Sequence, residues 1–398
     1  MKTISKLKDL TNKIVLLRVD YNVPLKKGEI LDDEKIVKSL PTIRMLQAKK
    51  AKIIIVTHLG RPEGKVVASL KVDPIAVRLG ELLKQKIVKL DTKDWSKNKN
   101  DKIRLDLITT VDALRPAEVA MMENIRFSPD EEDNKGDLSQ ELANLADIFV
   151  LDGFAVAHRA DASVVGVDKY LPSYAGLLLE TEIKILTKVL KNPKKPFVSI
   201  IGGIKAETKI PVMKNLLKTS NHLLIGGGIV NTYLYALGYK VGASIIDKDY
   251  AQEILKYCKN KKVVKPLDVV VGDIKGKKYF VMDINEKFKI TDKNLAIYDI
   301  GPKTIHEFSK IIKKANTIIW NGAMGYFEQN PYQYGTYSIA RLVASRSKGK
   351  AFAVVGGGET ILSLEAVKMT EYVDHVSTGG GAMLEFLSGK KLPGLKIL

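Results

Sequence analysis

Residues 197–228 read FVSIIGGIKAETKIPVMKNLLKTSNHLLIGGG. Two apolar runs, FVSII and HLLI, each end in glycines, and a stretch of helical periodicity lies between them. An apolar run without polar alternation is a strand buried on both faces, and strand, helix and strand in succession build a parallel sheet covered by helices. The same pattern extends in both directions. Downstream stand VVKPLDVVVG (263–272), NTIIWNG (316–322), AFAVVGGG (351–358) and DHVSTGGG (374–381). Upstream stand KIVLLRV (13–19), AKIIIVTH (51–58), EVAMMENI (118–125) and DIFVLDGF (147–154), with helical patterns over Lys35 to Lys49, Asp73 to Lys84 and Leu138 to Ala146. The fold class is α/β with parallel sheets.

The 398 residues predict two domains. Tyr174 to Leu190 is compatible with a helix and is closed by Asn192-Pro193 and Pro196, so the boundary is expected inside it. With 45% hydrophobic and 27% charged residues the composition is that of a globular protein, which excludes a disordered chain and a small disulfide scaffold. No apolar run approaches 18 residues and the first residues carry no apolar targeting core, so a soluble cytoplasmic protein without a membrane partner is expected. The single cysteine, Cys258, has no partner for a disulfide or a CxxC site. A net charge of +19 favours anionic ligands. The excess lysine is scattered between apolar runs, without an aromatic platform or a helix-turn-helix or zinc-finger spacing. That distribution argues for a solvated surface and against a nucleic-acid partner.

The two halves carry different chemistry at their strand ends. In the first half these ends hold Arg18 to Pro24 (RVDYNVP), His58-Leu59-Gly60-Arg61-Pro62, Glu123 to Phe127 (ENIRF) and Ala157 to Asp161 (AHRAD). Ligands of open parallel sheets bind outside the carboxyl ends of the strands, so His58, Arg61, Arg126 and Arg159 are expected to converge on one anion. Guanidinium forks match phosphate and carboxylate oxygens, and Asp20 and Asn22 suit hydroxyl groups. In the second half the same places hold Gly202-Gly203, Gly226 to Gly228, Gly356 to Gly358 and Gly379 to Gly381. Glycine turns at helix starts admit a phosphate to backbone N–H groups, and four of them point to a nucleotide or another polyphosphate. Neither GxxxxGK[ST] nor GxGxxG occurs, Asn231 standing where the latter needs its last glycine, which speaks against a nicotinamide-dependent dehydrogenase. Lys205 and Lys209 lie four apart and share a face if that segment is helical. Glu359-Thr360 follows a triple glycine, where a carboxylate serves either Mg²⁺ on nucleotide phosphates or a helix dipole.

In order and spacing, RVDYNVP, HLGRP, ENIRF, AHRADAS, GGIKAETK, IGGGIVNTYL, WNGAMGYFE, VGGGET and HVSTGGGAMLEFLSGKKLPG resemble phosphoglycerate kinase along nearly the whole chain. The resemblance implies two Rossmann-like three-layer domains joined by a connector helix and separated by a cleft. These would be 1–172 for 3-phosphoglycerate, 173–190 as the connector, 191–387 for the nucleotide, and 388–398 returning to the first domain. It implies reversible transfer of a phosphoryl group from 1,3-bisphosphoglycerate to ADP, giving 3-phosphoglycerate and ATP, by a monomeric, hinge-bending enzyme of glycolysis and gluconeogenesis. Asp20, Tyr21, Asn22, Lys35, His58, Leu59, Gly60, Arg61, Arg126 and Arg159 match the phosphoglycerate site. Gly203, Lys205, Lys209, Gly227, Asn321, Glu328, Gly357, Gly358, Glu359 and Thr360 match the nucleotide site, with Glu359 on Mg²⁺ and Glu328 on the ribose. Lys35, Lys205, Gly358 and Gly381 match the catalytic set. Lys35 stands where the family usually has arginine, Glu359 where it has aspartate and Ala323 where it has proline.

Overall fold

The computed structural model describes residues 1–90 and 101–398. The chain divides into two compact units, Met1–Ile183 with Lys391–Leu398, and Lys184–Lys390.

In the first unit six strands form one parallel sheet: β1 (Ile14–Arg18), β2 (Lys52–Val56), β3 (Val88–Leu90), β4 (Val119–Met122), β5 (Ile148–Leu151) and β6 (Ser173–Ala175). Their order is β3-β4-β2-β1-β5-β6. Connections leave β1 on one side and β5 on the other, which makes the gap between them the topological switch point. Helices α1 (Glu34–Ala48) and α2 (Asp73–Leu83) bury Ile36, Ile43 and Leu46, and Ile75 and Leu79, in one core with Val15, Leu17, Ile53 and Ile55 of the sheet. With Leu40, which is buried in the same core, those helical residues recur at three- and four-residue intervals, the period that keeps one face apolar.

The helix expected from Tyr174 starts later. Residues Ser173–Ala175 extend the sheet as β6, and α3 spans Leu177–Lys191. Its first N–H groups decide the start: Leu177 donates to Thr42 Oγ1 at 3.0 Å, and Leu178 and Leu179 donate to Asp152 Oδ1 at 2.9 and 3.2 Å. Asp152 is wholly buried, and burial lifts its carboxyl to about 6. The division between the units falls within α3, after Ile183. The segment returning to the first unit begins at Lys391. There Gly394 N–H donates to Ala157 O at 2.9 Å, and Lys2 N–H donates to Leu398 O at 2.7 Å.

The second unit contains β7 (Phe197–Ile201), β8 (His222–Ile225), β9 (Val263–Val264), β10 (Asp268–Gly272), β11 (Tyr279–Asp283), β12 (Ala296–Ile300), β13 (Thr317–Asn321), β14 (Phe352–Gly356) and β15 (His375–Ser377). Six of them form a parallel sheet in the order β9-β8-β7-β13-β14-β15. Helices α4 (Ala206–Thr219), α5 (Gly228–Ala236), α6 (Pro302–Ile312), α7 (Tyr334–Ser347), α8 (Gly358–Ala366) and α9 (Gly381–Leu387) accompany it. Trp320, Phe308, Ile339 and Val343 are wholly buried in its core.

VVKPLDVVVG corrects the reading of one parallel strand. Only Val263–Val264 joins the main sheet, whereas β10 lies between β11 and β12 in a separate antiparallel sheet. Pro266 separates the two pieces, and buried Asp268 caps α6 by accepting from Lys303 N–H at 3.0 Å and Thr304 N–H at 2.8 Å. Among the described residues no helix is long and apolar enough to cross a membrane. Cys258 is buried, and burial pushes its thiol up to about 12, so it is not a nucleophile at neutral pH.

Candidate active site

In the first unit the loops after β1, β2, β4 and β5 meet at the switch point, and each brings a cation or an imidazole. Arg18, the last residue of β1, is fully buried. Its Nε donates to Ser163 Oγ at 2.7 Å, its Nη1 to Val19 O, and its Nη2 lies 3.3 Å from His58 Nδ1. Glu131 balances the charge, 3.8 Å from Arg18, and accepts from Ser163 Oγ at 2.5 Å and Ser163 N–H at 2.9 Å. Burial, then Arg18, Arg126, Arg159 and Lys35, hold the His58 pKa well below the usual imidazole value. His58 is therefore neutral. Because a guanidinium only donates, Nδ1 accepts and the ring proton sits on Nε2.

Arg126 occupies a short turn fixed by Asn124, whose Oδ1 accepts from Arg126 N–H at 3.2 Å and Leu59 N–H at 3.1 Å. Its side chain is only 2% exposed. Nη1 donates to Gly60 O at 2.8 Å, but buried Nε and Nη2 make no hydrogen bond. These two atoms form one edge of the guanidinium, the edge that takes two oxygens of a phosphate or carboxylate. Burial and the charge of Arg159 lower the Arg126 pKa. Nearby Asp161 has its carboxyl lifted to about 6, mainly by burial and then by Glu131. Across the crevice Lys35, near the start of α1, places Nζ 2.7 Å from Asp20 Oδ2 and donates to Asn22 O at 3.1 Å. Asn22 Oδ1 accepts from Gly60 N–H at 2.9 Å, which ties the β1 and β2 loops together.

Arg126, Arg159, His58, Lys35, Asp20, Asn22 and Gly60 thus converge. Of the other three expected members, Tyr21 and Leu59 are buried and Arg61 is exposed. Tyr21 is wholly buried with its hydroxyl 2.6 Å from Ser39 Oγ, so its ring faces the core. Leu59 is buried, and its N–H and C=O are both bonded to the Asn124 amide. Arg61 is exposed and has no ion pair or hydrogen bond among the described residues. Arg18, Glu131 and Ser163 were absent from the expected set. A charged residue ending the otherwise apolar strand IVLLR was the signal for Arg18 in the sequence.

In the second unit the ends of β7 and β13 meet at the corresponding switch point. Gly202 and Gly203 N–H donate to Asn321 O and Ala323 O at 3.0 and 2.8 Å, and Gly227 N–H donates to Met324 O at 2.8 Å. A Cβ on Gly202 would stand 2.1 Å from Ala323 O, so only glycine allows this crossing. The expectation that these glycines present N–H groups to a phosphate is corrected for Gly203 and Gly227, whose donors hold the turns to one another. Gly357 and Gly358 differ. Gly357 stands at φ +98° as the N-cap of α8, with no side chain capping that helix, which leaves the N–H groups of its first turn for an anion.

Lys209 on α4 is buried with Nζ against Asn321 Oδ1. Burial lowers its pKa to about 8, and Glu359 opposes the shift. Asn321 Nδ2 donates to Gly356 O at 2.7 Å, and Thr360 Oγ1 accepts from Gly322 N–H at 2.7 Å, so Asn321 and Thr360 brace the β13 and β14 turns. Lys205 is exposed at the start of α4, and Gly381 opens α9 after β15. Beside these turns lies a cavity of about 640 Å³. Glu328 and Glu359 stand on its rim, and Ile204, Ile245, Val269 and Met324 line it. Val269 and Ala296 to Ile300 come from β10 and β12, so the antiparallel sheet hidden in VVKPLDVVVG forms one wall. Among the described residues no group of three or more acidic, histidine or cysteine side chains is placed to hold a metal. Glu359 is a single carboxylate beside the cavity, which suits an Mg²⁺ ion that brings phosphate and water ligands of its own.

An arginine-lined crevice on one parallel sheet and a glycine-walled cavity of nucleotide size on another define an α/β protein of the phosphotransferase class. A profile of the phosphoglycerate kinase family matches residues 4–390. The phosphoglycerate kinase of Borreliella afzelii is 42% identical over 403 residues, covering 100% of this chain and 99% of that protein. That of Dictyoglomus turgidum is 44% identical over 405 residues, covering 100% and 98%. Among solved structures, phosphoglycerate kinase from Coxiella burnetii gives a TM-score of 0.84 at 39% identity over 99% of this chain and 98% of that one. The one from Pyrococcus horikoshii gives 0.82 at 32% identity over 100% and 98%. The chain belongs to the phosphoglycerate kinase family, and its reaction class is phosphoryl transfer to a carboxyl acceptor.

Proposed function

We propose that the chain catalyses reversible transfer of a phosphoryl group from 1,3-bisphosphoglycerate to ADP, giving 3-phosphoglycerate and ATP, as a monomeric glycolytic enzyme of the cytoplasm. The observation that carries the site assignment is Arg126, a buried cation at a sheet switch point whose Nε and Nη2 make no hydrogen bond and meet Glu132 only through an unaligned ion pair at Nη2. Hydrogen bonds left unmade by a buried guanidinium are costly, and a phosphate or carboxylate between Arg126 and Arg159 completes them. His58 adds a neutral N–H donor, Asp20 and Asn22 face the hydroxyl, and Arg61 reaches in from solvent. Tyr21 and Leu59 serve by shaping the loop.

In the second unit ADP or ATP fills the 640 Å³ cavity, with Glu328 on the ribose hydroxyls and the start of α8 on the phosphates. Glu359 is the residue that would hold Mg²⁺, which when bound with the nucleotide would neutralise phosphate charge. Lys209 and Lys205 supply positive charge toward the phosphates, Lys209 from a dry position that strengthens it. The acceptor carboxylate is ionised near neutral pH, so no general base is needed and catalysis rests on positioning and electrostatics. Direct in-line transfer requires the two ligands to meet with water excluded, which is the chemical ground for domain closure in the cycle. A coupled assay of ADP formation with 3-phosphoglycerate and Mg-ATP tests the reading. Turnover that requires both is expected, and ADP release indifferent to 3-phosphoglycerate refutes it.

A further inference from the structure

Arg126 and Arg159 are bridged by one carboxylate. Glu132 Oε1 lies 3.0 Å from Arg126 Nη2 and 3.6 Å from Arg159 Nη1. The contact with Nη2 is an ion pair without hydrogen-bond alignment, since that nitrogen has no hydrogen-bond partner. Glu132 belongs to the four-residue helix Asp130–Asp133, which follows the Arg126 turn. The neighbouring Glu131 is wholly buried and clamps this helix to Ser163 and Arg18. Glu132 itself has a side chain 46% exposed, so rotation toward water is open to it while its backbone stays anchored.

We propose that Glu132 is an intramolecular competitor for the anion site, a carboxylate that neutralises the arginine pair when no ligand is bound and swings out when the substrate anion enters. The proposal rests on the assignment of this crevice to 3-phosphoglycerate. Glu132 has the charge of the ligand it yields to, and its approach to Arg126 lacks the alignment that would hold it firmly. A contact of this kind lowers the affinity of every anion that must displace it by the same factor, because each ligand competes with the same closed state. It also spares the free protein the cost of a buried, uncompensated Arg126.

Titration calorimetry on the full chain and on Glu132→Gln, with sulfate, inorganic phosphate and 3-phosphoglycerate in turn, tests this. The variant should bind all three more tightly by one common factor of about three or more, the scale of a half-exposed ion pair. Its KM for 3-phosphoglycerate should fall by that factor, and its melting temperature should drop as the arginines lose their counter-ion. Glu132→Asp, which keeps the charge but retracts it, should gain less. Affinity and melting temperature falling together would mean that Glu132 props up the site, and would overturn the proposal, as would gains that differ among the anions. Failure of the underlying assignment looks different: the parent and Arg126→Ala would then bind 3-phosphoglycerate alike. If Arg126→Ala loses the ligand and Glu132→Gln gains nothing, only the competitor role falls.

Discussion

Replacing Arg126 with alanine removes a guanidinium that does little for the ligand-free protein and is placed to do much for a bound anion. Of its three nitrogens only Nη1 has a hydrogen bond, to Gly60 O at 2.8 Å, while buried Nε and Nη2 on one edge have none and Nη2 has only the unaligned Glu132 carboxylate beside it. A ligand on that edge gains a charge-assisted pair. Hydrogen bonds to charged groups contribute about 1.5–3 kcal/mol, so counting the fork as one such contact, Arg126→Ala should weaken 3-phosphoglycerate binding roughly ten- to 150-fold. Arg126→Lys keeps the charge but cannot span two oxygens, and should fall between the parent and the alanine variant. Calorimetric titration with 3-phosphoglycerate measures the loss, and a parallel ADP titration checks that the nucleotide cavity is intact. An alanine variant that binds 3-phosphoglycerate within about twofold of the parent would refute the reasoning, because the Nε and Nη2 edge would then take no part in holding the ligand.

Lys35→Ala should lose most turnover in steady-state assays, whereas Lys35→Arg should stay active; near-parental rates in the alanine variant would make the Lys35 contact with Asp20 merely structural. Gly202→Ala pushes a methyl to 2.1 Å from Ala323 O and should cost about 1–3 kcal/mol of stability together with ADP affinity, while Gly358→Ala, whose methyl meets no atom within 4 Å, should melt like the parent. Burial raises the Asp152 pKa from 3.8 to about 6, so between those values the folded chain keeps a proton that the unfolded chain has lost. The stability contributed by this group therefore falls as pH rises from about 4 to about 6, and Asp152→Asn should remove that slope and be as much as about 3 kcal/mol more stable at pH 7 in urea unfolding.

The parallel sheets could be read from the chain because their strands are apolar on both faces and end in turn residues, both local properties. Pairing is not local. The pattern that marked β7 and β13 also covered β10, yet β10 pairs antiparallel with partners supplied by β11 and β12, and although Pro266 breaks the run, nothing within VVKPLDVVVG specifies the direction of pairing. The cations at strand ends were visible for a similar reason, whereas their counter-ions were not. Glu131 and Glu132 sit in the run DEED, which reads as a solvated acidic patch until the turn at Asn124 folds it back over Arg18 and Arg126. Tyr21 lies between two polar residues and was placed with them, but the bend that presents Asp20 to Lys35 turns the next side chain into the core. Among the glycine turns, Gly202, Gly226 and Gly227 are places of close approach, whereas Gly358 and Gly380 have open space around them. What approaches Gly203 and Gly227 is backbone from another strand.

The return of Lys391–Leu398 to the first unit bears on the order in which that unit can be completed. Leu392 is buried, Gly394 lies against Leu151 and Ala157, and Ala157 precedes Arg159 by two residues. During synthesis the strands of the first sheet emerge early, but the segment that closes its surface beside Arg159 follows the whole of Lys184–Lys390. The first unit to begin folding is thus the last to be finished, and the loop bearing Arg159 lacks one of its supports until the second unit has been made.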